Sequence, residues 1–91
     1  LANHASAIKR MRQSQKRRLY NRHYRAGMRT QIKKVRAAVA AGNVENATSE
    51  LNAAVSIIQR LAGKKVLHRR NASRRVARLY KAVNGLKASA S

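Results

Sequence analysis

The chain has 91 residues, 44% of them hydrophobic, with no Phe, Trp, Pro or Cys. That length suits one small domain and leaves little interior for an enclosed catalytic pocket, and the lack of cysteine excludes disulfides, thiolate metal sites and thiol chemistry. Its 22 Lys and Arg stand against two acids, a formal net charge of +20 with a sequence pI of about 12.0, and such an excess asks for a polyanion, nucleic acid first and an anionic membrane surface second.

Plentiful Ala, Arg, Lys and Gln with only four Gly favour helix and give no support to strands. The expected class is all-α. No apolar run approaches the roughly 20 residues of a membrane span, and the start of the chain lacks the apolar stretch of a signal peptide, so a soluble intracellular protein is the default expectation.

The first helix is expected over about residues 6–41. Its opening half, "IKRMRQSQKRRLYNRHYR" from Ile8 to Arg25, carries basic residues and no acid. Like charges there recur at spacings of three and four, without the intrahelical ion pairs that usually offset such repulsion. An apolar stripe appears only later, as Met28, Ile32, Val35 and Val39. Gly27 sits between the two halves, where it marks a bend or a close approach and weakens the helix by about 1 kcal/mol relative to Ala. Gly42-Asn43 ends this helix, and Asn43 is placed to cap the next, with Glu45 in the first turn where negative charge suits the helix dipole.

The second helix is expected over about 44–62, with Val44, Ala47, Leu51, Ala54, Ile58 and Leu61 in one stripe and a stop near Ala62-Gly63. After "GKKVLH" the third runs over about 69–84, with Ala72, Val76, Leu79, Val83 and Leu86 in its stripe. It fades near Asn84-Gly85 and leaves the tail "LKASAS". Three stripes on short turns predict one domain over 1–91, an antiparallel three-helix bundle. At ~1.5 Å per residue the first helix spans roughly 50 Å against about 30 Å for the others. Its basic half therefore projects.

Charge is distributed by segment. Twelve basic residues lie at or before Arg36 and ten at or after Arg60, with none between. The second helix, home of Glu45 and Glu50, is expected to face away from the polyanion. Arg18, Arg22, Arg25, Arg29, Lys33 and Arg36 follow helical steps as one ridge, and Arg70, Arg74, Arg78 and Lys81 form another. A merely solvated face mixes signs; these ridges do not. Lys9 and Arg10 point to other sides, so the tip is basic all round, which suits insertion between phosphate backbones.

Tyr20 and Tyr24, one turn apart, either stack on unpaired bases or extend the core, and Tyr80 borders the third stripe and is expected to pack. His4, His23 and His68 have no carboxylate at ligand spacing, so no metal is expected; His68, just before the third helix, contacts phosphate or caps the connection. Glu45 and Glu50 lack a nearby His, Cys or Lys to complete an acid–base or nucleophile pair, and there is no Gly-rich phosphate loop. Neither an enzyme nor a cofactor is expected.

"NHASAIKRMRQSQKRRLYNRHYRAGMRTQIKKVRAA", then "AGN", an amphipathic helix and "LHRRNASRRVARL" resemble the small-subunit ribosomal protein twenty family of bacteria and plastids. The most specific parts are "SAIKRMRQSQKRR" with Asn21, then "MRTQIKKV", then His68 with Arg74-Arg75 and Arg78-Leu79. The resemblance covers nearly the whole chain and implies a three-helix bundle with a long first helix. It also implies direct, early binding to small-subunit ribosomal RNA, in its 5′ domain and its long 3′ penultimate stem, among other small-subunit components of a bacterial cytoplasm or plastid stroma. Carried over by position, the RNA-facing residues are Lys9, Arg10, Arg12, Gln13, Ser14, Lys16, Arg17, Arg18, Asn21, Arg22, Arg29, Thr30, Lys33 and Lys34, then His68, Arg74, Arg75 and Arg78. The ridges add Arg25 and Arg70, the latter standing where the family often has Asn. The expected mechanism is an architectural clamp, with counterion release supplying much of the affinity and little base readout. A DNA-compacting protein is the principal rival. A membrane-active peptide would need a wide apolar face opposite the charge, and Ile8, Met11 and Leu19 are too few.

Overall fold

The structure, a computed structural model, describes residues 2–90, so Leu1 and Ser91 at the ends of the expected domain lie outside the described residues. It contains three helices, α1 (Ala2–Ala40), α2 (Val44–Gly63) and α3 (Arg69–Ala90), and no strand among the described residues. Gln31 of α1 meets Glu50 of α2, and Tyr20 meets Lys64 beyond its far end. Numbers falling along α1 meet numbers rising along α2, so the two run antiparallel. Ile32 and Arg36 of α1 border Arg75, Arg78 and Leu79, and Gln59 and Ala62 of α2 border Ala72 and Val76, so α3 packs against both other helices.

The predicted stripes form the core, except that Val44, at the start of α2, is only half-buried and stands outside it. Met28, Ile32, Val35, Ala47, Leu51, Ala54, Ile58, Leu61, Ala72, Leu79 and Val83 are all buried, while Val39, Val76 and Leu86 pack half-buried against them. Each large side chain so buried contributes roughly 1.5–3 kcal/mol. Ala38 joins them, and so do Val66 and Leu67 of the "GKKVLH" connection. These last two plug the end of the bundle, although a connection of this kind has no helical period to announce an inward face.

Both turns are Schellman closures. At the end of α1 the Asn43 N–H donates to Ala38 O and the Gly42 N–H to Val39 O, each at 3.1 Å, with Gly42 at φ 74°. This is the left-handed position that glycine occupies without strain. Asn43 then turns round to serve α2, its Oδ1 accepting from the Asn46 N–H at 3.1 Å as predicted for a cap. At the end of α2 the Val66 N–H donates to Leu61 O at 3.0 Å and the Lys65 N–H to Ala62 O at 3.1 Å. The left-handed residue there is Lys65, at φ 61°, and not Gly63, which is the last residue of the helix proper. The helix stops at Gly63, as the expected end near Ala62-Gly63 had it, and the chain turns two residues later, where Val66 is buried and bonded to Leu61.

Two helix ends differ from expectation for related reasons. α1 begins at Ala2 rather than near Ser6, because Ala2 to Ala5 contains no breaker. α3 runs through Gly85 to Ala90 instead of ending near Asn84. Leu86 holds that last stretch against the core, and the Ser89 hydroxyl donates to Gly85 O at 3.0 Å. α1 likewise passes through Gly27 without interruption.

Residues 4–20 are exposed without exception, and from residue 4 onward the first half-buried side chain of α1 is Asn21. The molecule measures 69 × 21 × 14 Å with a radius of gyration of 18.0 Å, where a compact domain of this length would have about 12 Å. The difference is the unsupported half of α1.

Candidate nucleic-acid interface

Helical spacing on α1 gathers Arg18, Asn21, Arg22, Arg25 and Arg29 around one shallow basic cleft. Asn21 is half-buried and places an amide among the guanidinium groups. Arg25 is partly committed to the fold: its Nη2 donates to Val66 O at 2.9 Å, pinning the α2–α3 connection to α1. The remaining guanidinium donors of its fork are left for another partner.

A second gathering spans two helices. Arg36 of α1 and Arg75 and Arg78 of α3 border a small recess floored by Ile32 and Leu79. Arg75 is half-buried and aimed by Asn71, whose Oδ1 accepts from Arg75 Nε at 2.8 Å, so its two terminal nitrogens stay available. Three like charges converge here on apolar ground, which costs free energy in isolation and is offset by an anion that several N–H donors can hold at once. Arg36 lies on the predicted ridge yet was not among the candidate contacts. Its step-of-three spacing from Lys33 already put it there; only the packing of α3 shows what it meets.

The other predicted residues fall into distinct places. Lys9, Arg10, Arg12, Gln13, Ser14, Lys16 and Arg17 stand exposed on the overhang, clear of the bundle. Ile8, Lys9, Arg12, Gln13 and Lys16 share one groove of the helix surface. Thr30, Lys33 and Lys34 are exposed beside the core stripe, the Thr30 hydroxyl donating back to Ala26 O at 3.0 Å. Arg70 and Arg74 are exposed on α3 away from its buried stripe.

His68 caps α3: its Nδ1 accepts from the Arg70 N–H at 3.1 Å, and its carbonyl accepts from the Ala72 N–H at 2.9 Å. An accepting Nδ1 puts the neutral ring's proton on Nε2, a donor that remains for a phosphate. The capping and phosphate readings of His68 are therefore compatible.

Tyr24 is half-buried against the core, whereas Tyr20 is 46% exposed and Tyr80, expected to pack, is 42% exposed beside the α3 stripe. Their rings lie 4.5 Å apart, and Lys64 Nζ sits 4.7 Å from the Tyr24 centroid while donating to Tyr20 Oη at 3.2 Å. Hydrogen bonding with Tyr24 and then with Lys64 holds the Tyr20 phenol below its usual pKa, and the bond with Tyr20 raises the Lys64 ammonium above its own. The pair of rings thus ties the root of the overhang to the end of α2, a contact between residues 44 apart that sequence could not disclose.

α2 presents Glu45, Asn52, Ser56 and Gln59 to solvent. Glu50 turns inward to α1, where Gln31 Nε2 donates to its backbone oxygen at 3.1 Å and to its carboxylate. The one acid nearest the basic helix is thereby spent on the seam. Among the described residues no cluster of His, Cys, Asp or Glu could hold a metal ion, and no helix is long and apolar enough to cross a membrane.

Residues 2–84 match the family described as ribosomal protein S20. Similar curated proteins are each named small ribosomal subunit protein bS20. The one from Magnetococcus marinus is 52% identical over 90 residues, covering 99% of this chain and 98% of that protein. Those from Geotalea daltonii and Geobacter sulfurreducens are 51% and 49% identical over 86 residues, covering 94% of this chain and 99% of each.

Proposed function

The chain belongs to the ribosomal protein S20 family and is a structural, non-catalytic component of a small ribosomal subunit of bacterial type; from that premise we propose that it clamps the subunit's RNA directly through phosphate contacts. The observation that carries this reading is the convergence of Arg36, Arg75 and Arg78 from two helices on one recess, beside a ridge from Arg18 to Lys33 without an acid. A phosphate held at the α1–α3 seam and a backbone lying along α1 would be fixed relative to one another. That is a scaffold's task, performed by positioning contacts and not by base reading.

The overhang extends the same surface. Its cations surround the helix, so Lys9, Arg10, Arg12, Lys16 and Arg17 reach phosphates on more than one side, with Gln13, Ser14 and Asn21 able to bond ribose or base edges. His68, Arg70 and Arg74 extend the α3 side, and Thr30 and Lys34 border α1. The 5′ domain and the long 3′ penultimate stem are the RNA partners we assign, and stabilising their folding during assembly is the role.

Filter binding of the full chain at several salt concentrations tests this. Folded small-subunit RNA is expected to bind well above duplex DNA of equal length at moderate salt, with a log–log salt slope of about −0.7 to −0.9 per phosphate contacted. Equal affinity for the two would sink the clamp and favour a DNA-compacting protein.

A further inference from the structure

On the flank of α1 facing away from the arginine ridge, an apolar groove of about 380 Å³ opens between α1 and α2. Met28 and Leu61, both buried, form its floor; Tyr24 and Ile57, half-buried, form its walls; His23 and Arg60 stand at its rim. Gly27 lies at its mouth. A Cβ built there meets nothing within 4 Å, so no neighbour in the fold requires the glycine, although it weakens the helix by roughly 1 kcal/mol against alanine. The mouth is open to solvent.

Charge indicates what would fill it. Lys9, Arg12, Lys16, His23, Gly27, Thr30 and Lys34 succeed one another along α1 at steps of three, four, seven, four, three and four, which places them in one row. The row is basic before and after the groove and bare at the groove itself. Arg60 faces it from α2. The acids of α2, Glu50 and Glu45, lie about 15 Å and about 22 Å further along that helix at ~1.5 Å per residue. An occupant must therefore be apolar and small where it enters, and negative on either side. A volume near the low end of the ~300–1,000 Å³ of small-ligand sites admits one flat ring system and excludes a helix.

We propose that this groove receives a single unstacked base of the ribosomal RNA, its flanking phosphates lying on Arg60 and on the Lys16–Lys34 row. The inference rests on the RNA-clamp reading and adds to it a site where the protein engages a base rather than a backbone. Unpaired bases are the elements of RNA that proteins take into apolar and aromatic slots, and Tyr24, with Lys64 over its ring, supplies the aromatic wall.

The test uses the full chain, folded small-subunit RNA and the variant Gly27→Leu, whose side chain fills the mouth while improving helix propensity. Loss of one base contact is expected to weaken binding about five- to tenfold with an unchanged salt slope, because the slope counts phosphates. Chemical probing should show one unpaired base shielded by the wild-type protein and reactive again with Gly27→Leu. Equal affinity of variant and wild type would overturn the proposal and leave the clamp standing, whereas a wild-type chain that fails to bind the RNA at all would overturn the clamp itself. A loss accompanied by a shallower slope, or a wild-type complex that shields no unpaired base, also overturns it. So does a Gly27→Leu chain that binds naked RNA normally but fails to enter subunits, since the occupant is then a neighbouring protein's side chain.

Discussion

Residues 4–20 of α1 are exposed at every position, while residues 28–83 carry three stripes of side chains withdrawn from water. Both regions are helix, built from residues of good helical propensity, yet the reasons they stay helical differ. The bundle is closed by burial and by two Schellman turns. The overhang has neither a buried face nor an acid to set against its charges, and isolated helices of that length are marginal in water even without self-repulsion. What is missing in the overhang is what a phosphate backbone brings. Stability therefore rests on the bundle alone, whereas the basic surface runs over both regions, so the overhang can be altered with little cost to the fold.

Deleting the residues before Leu19 makes the sharpest cut along that division. It removes Lys9, Arg10, Arg12, Lys16, Arg17 and Arg18, and RNA affinity is expected to fall on the order of a thousandfold at moderate salt, with a shallower salt slope. The thermal midpoint should hold, the change in stability staying within about 0.5 kcal/mol as for surface substitutions generally. A truncated chain that melts much earlier would show the overhang to be part of the fold. Hydrogen exchange probes the same boundary without mutation. Amides before Tyr20 are expected to exchange about a hundredfold or more faster than those of Val35, Ile58 and Val83 in the free protein, and to slow on adding RNA. Full protection in the absence of RNA would break the comparison.

The smallest expected effect lies within the bundle. Lys65→Gly removes a non-glycine residue from a left-handed position and should raise stability by about 1 kcal/mol, read as a higher melting temperature, with RNA affinity lowered only by one peripheral charge. If the variant were less stable, the Lys65 conformation would not be the strained element of the α2 closure.

The same division decides how much could be read from the sequence. The apolar stripes, the Asn43 cap and the ridges are periodic or local, so spacing alone revealed them. Val66 and Leu67, the left-handed Lys65 and the Arg25–Val66 bond arise where a non-periodic connection folds over the end of the bundle, and no spacing rule reaches that far. Glycine marked the end of α2 at Gly63 but misled at Gly85, where the packing of Leu86 carries α3 on. At the interface the identities of the cations were legible, but the meeting of Arg36 with Arg75 and Arg78 depended on which face α3 offers to α1.

The Tyr20–Lys64 contact and the Arg25–Val66 bond stand at the root of the overhang and act as guy-lines on a mast. Residues 2–20 extend about 28 Å beyond that root, so a tilt of about 10° there carries the tip sideways by about 5 Å, close to one helical turn. Small adjustments among two tyrosines, a lysine and an arginine at the end of the bundle thus set the bearing of side chains that none of them touches.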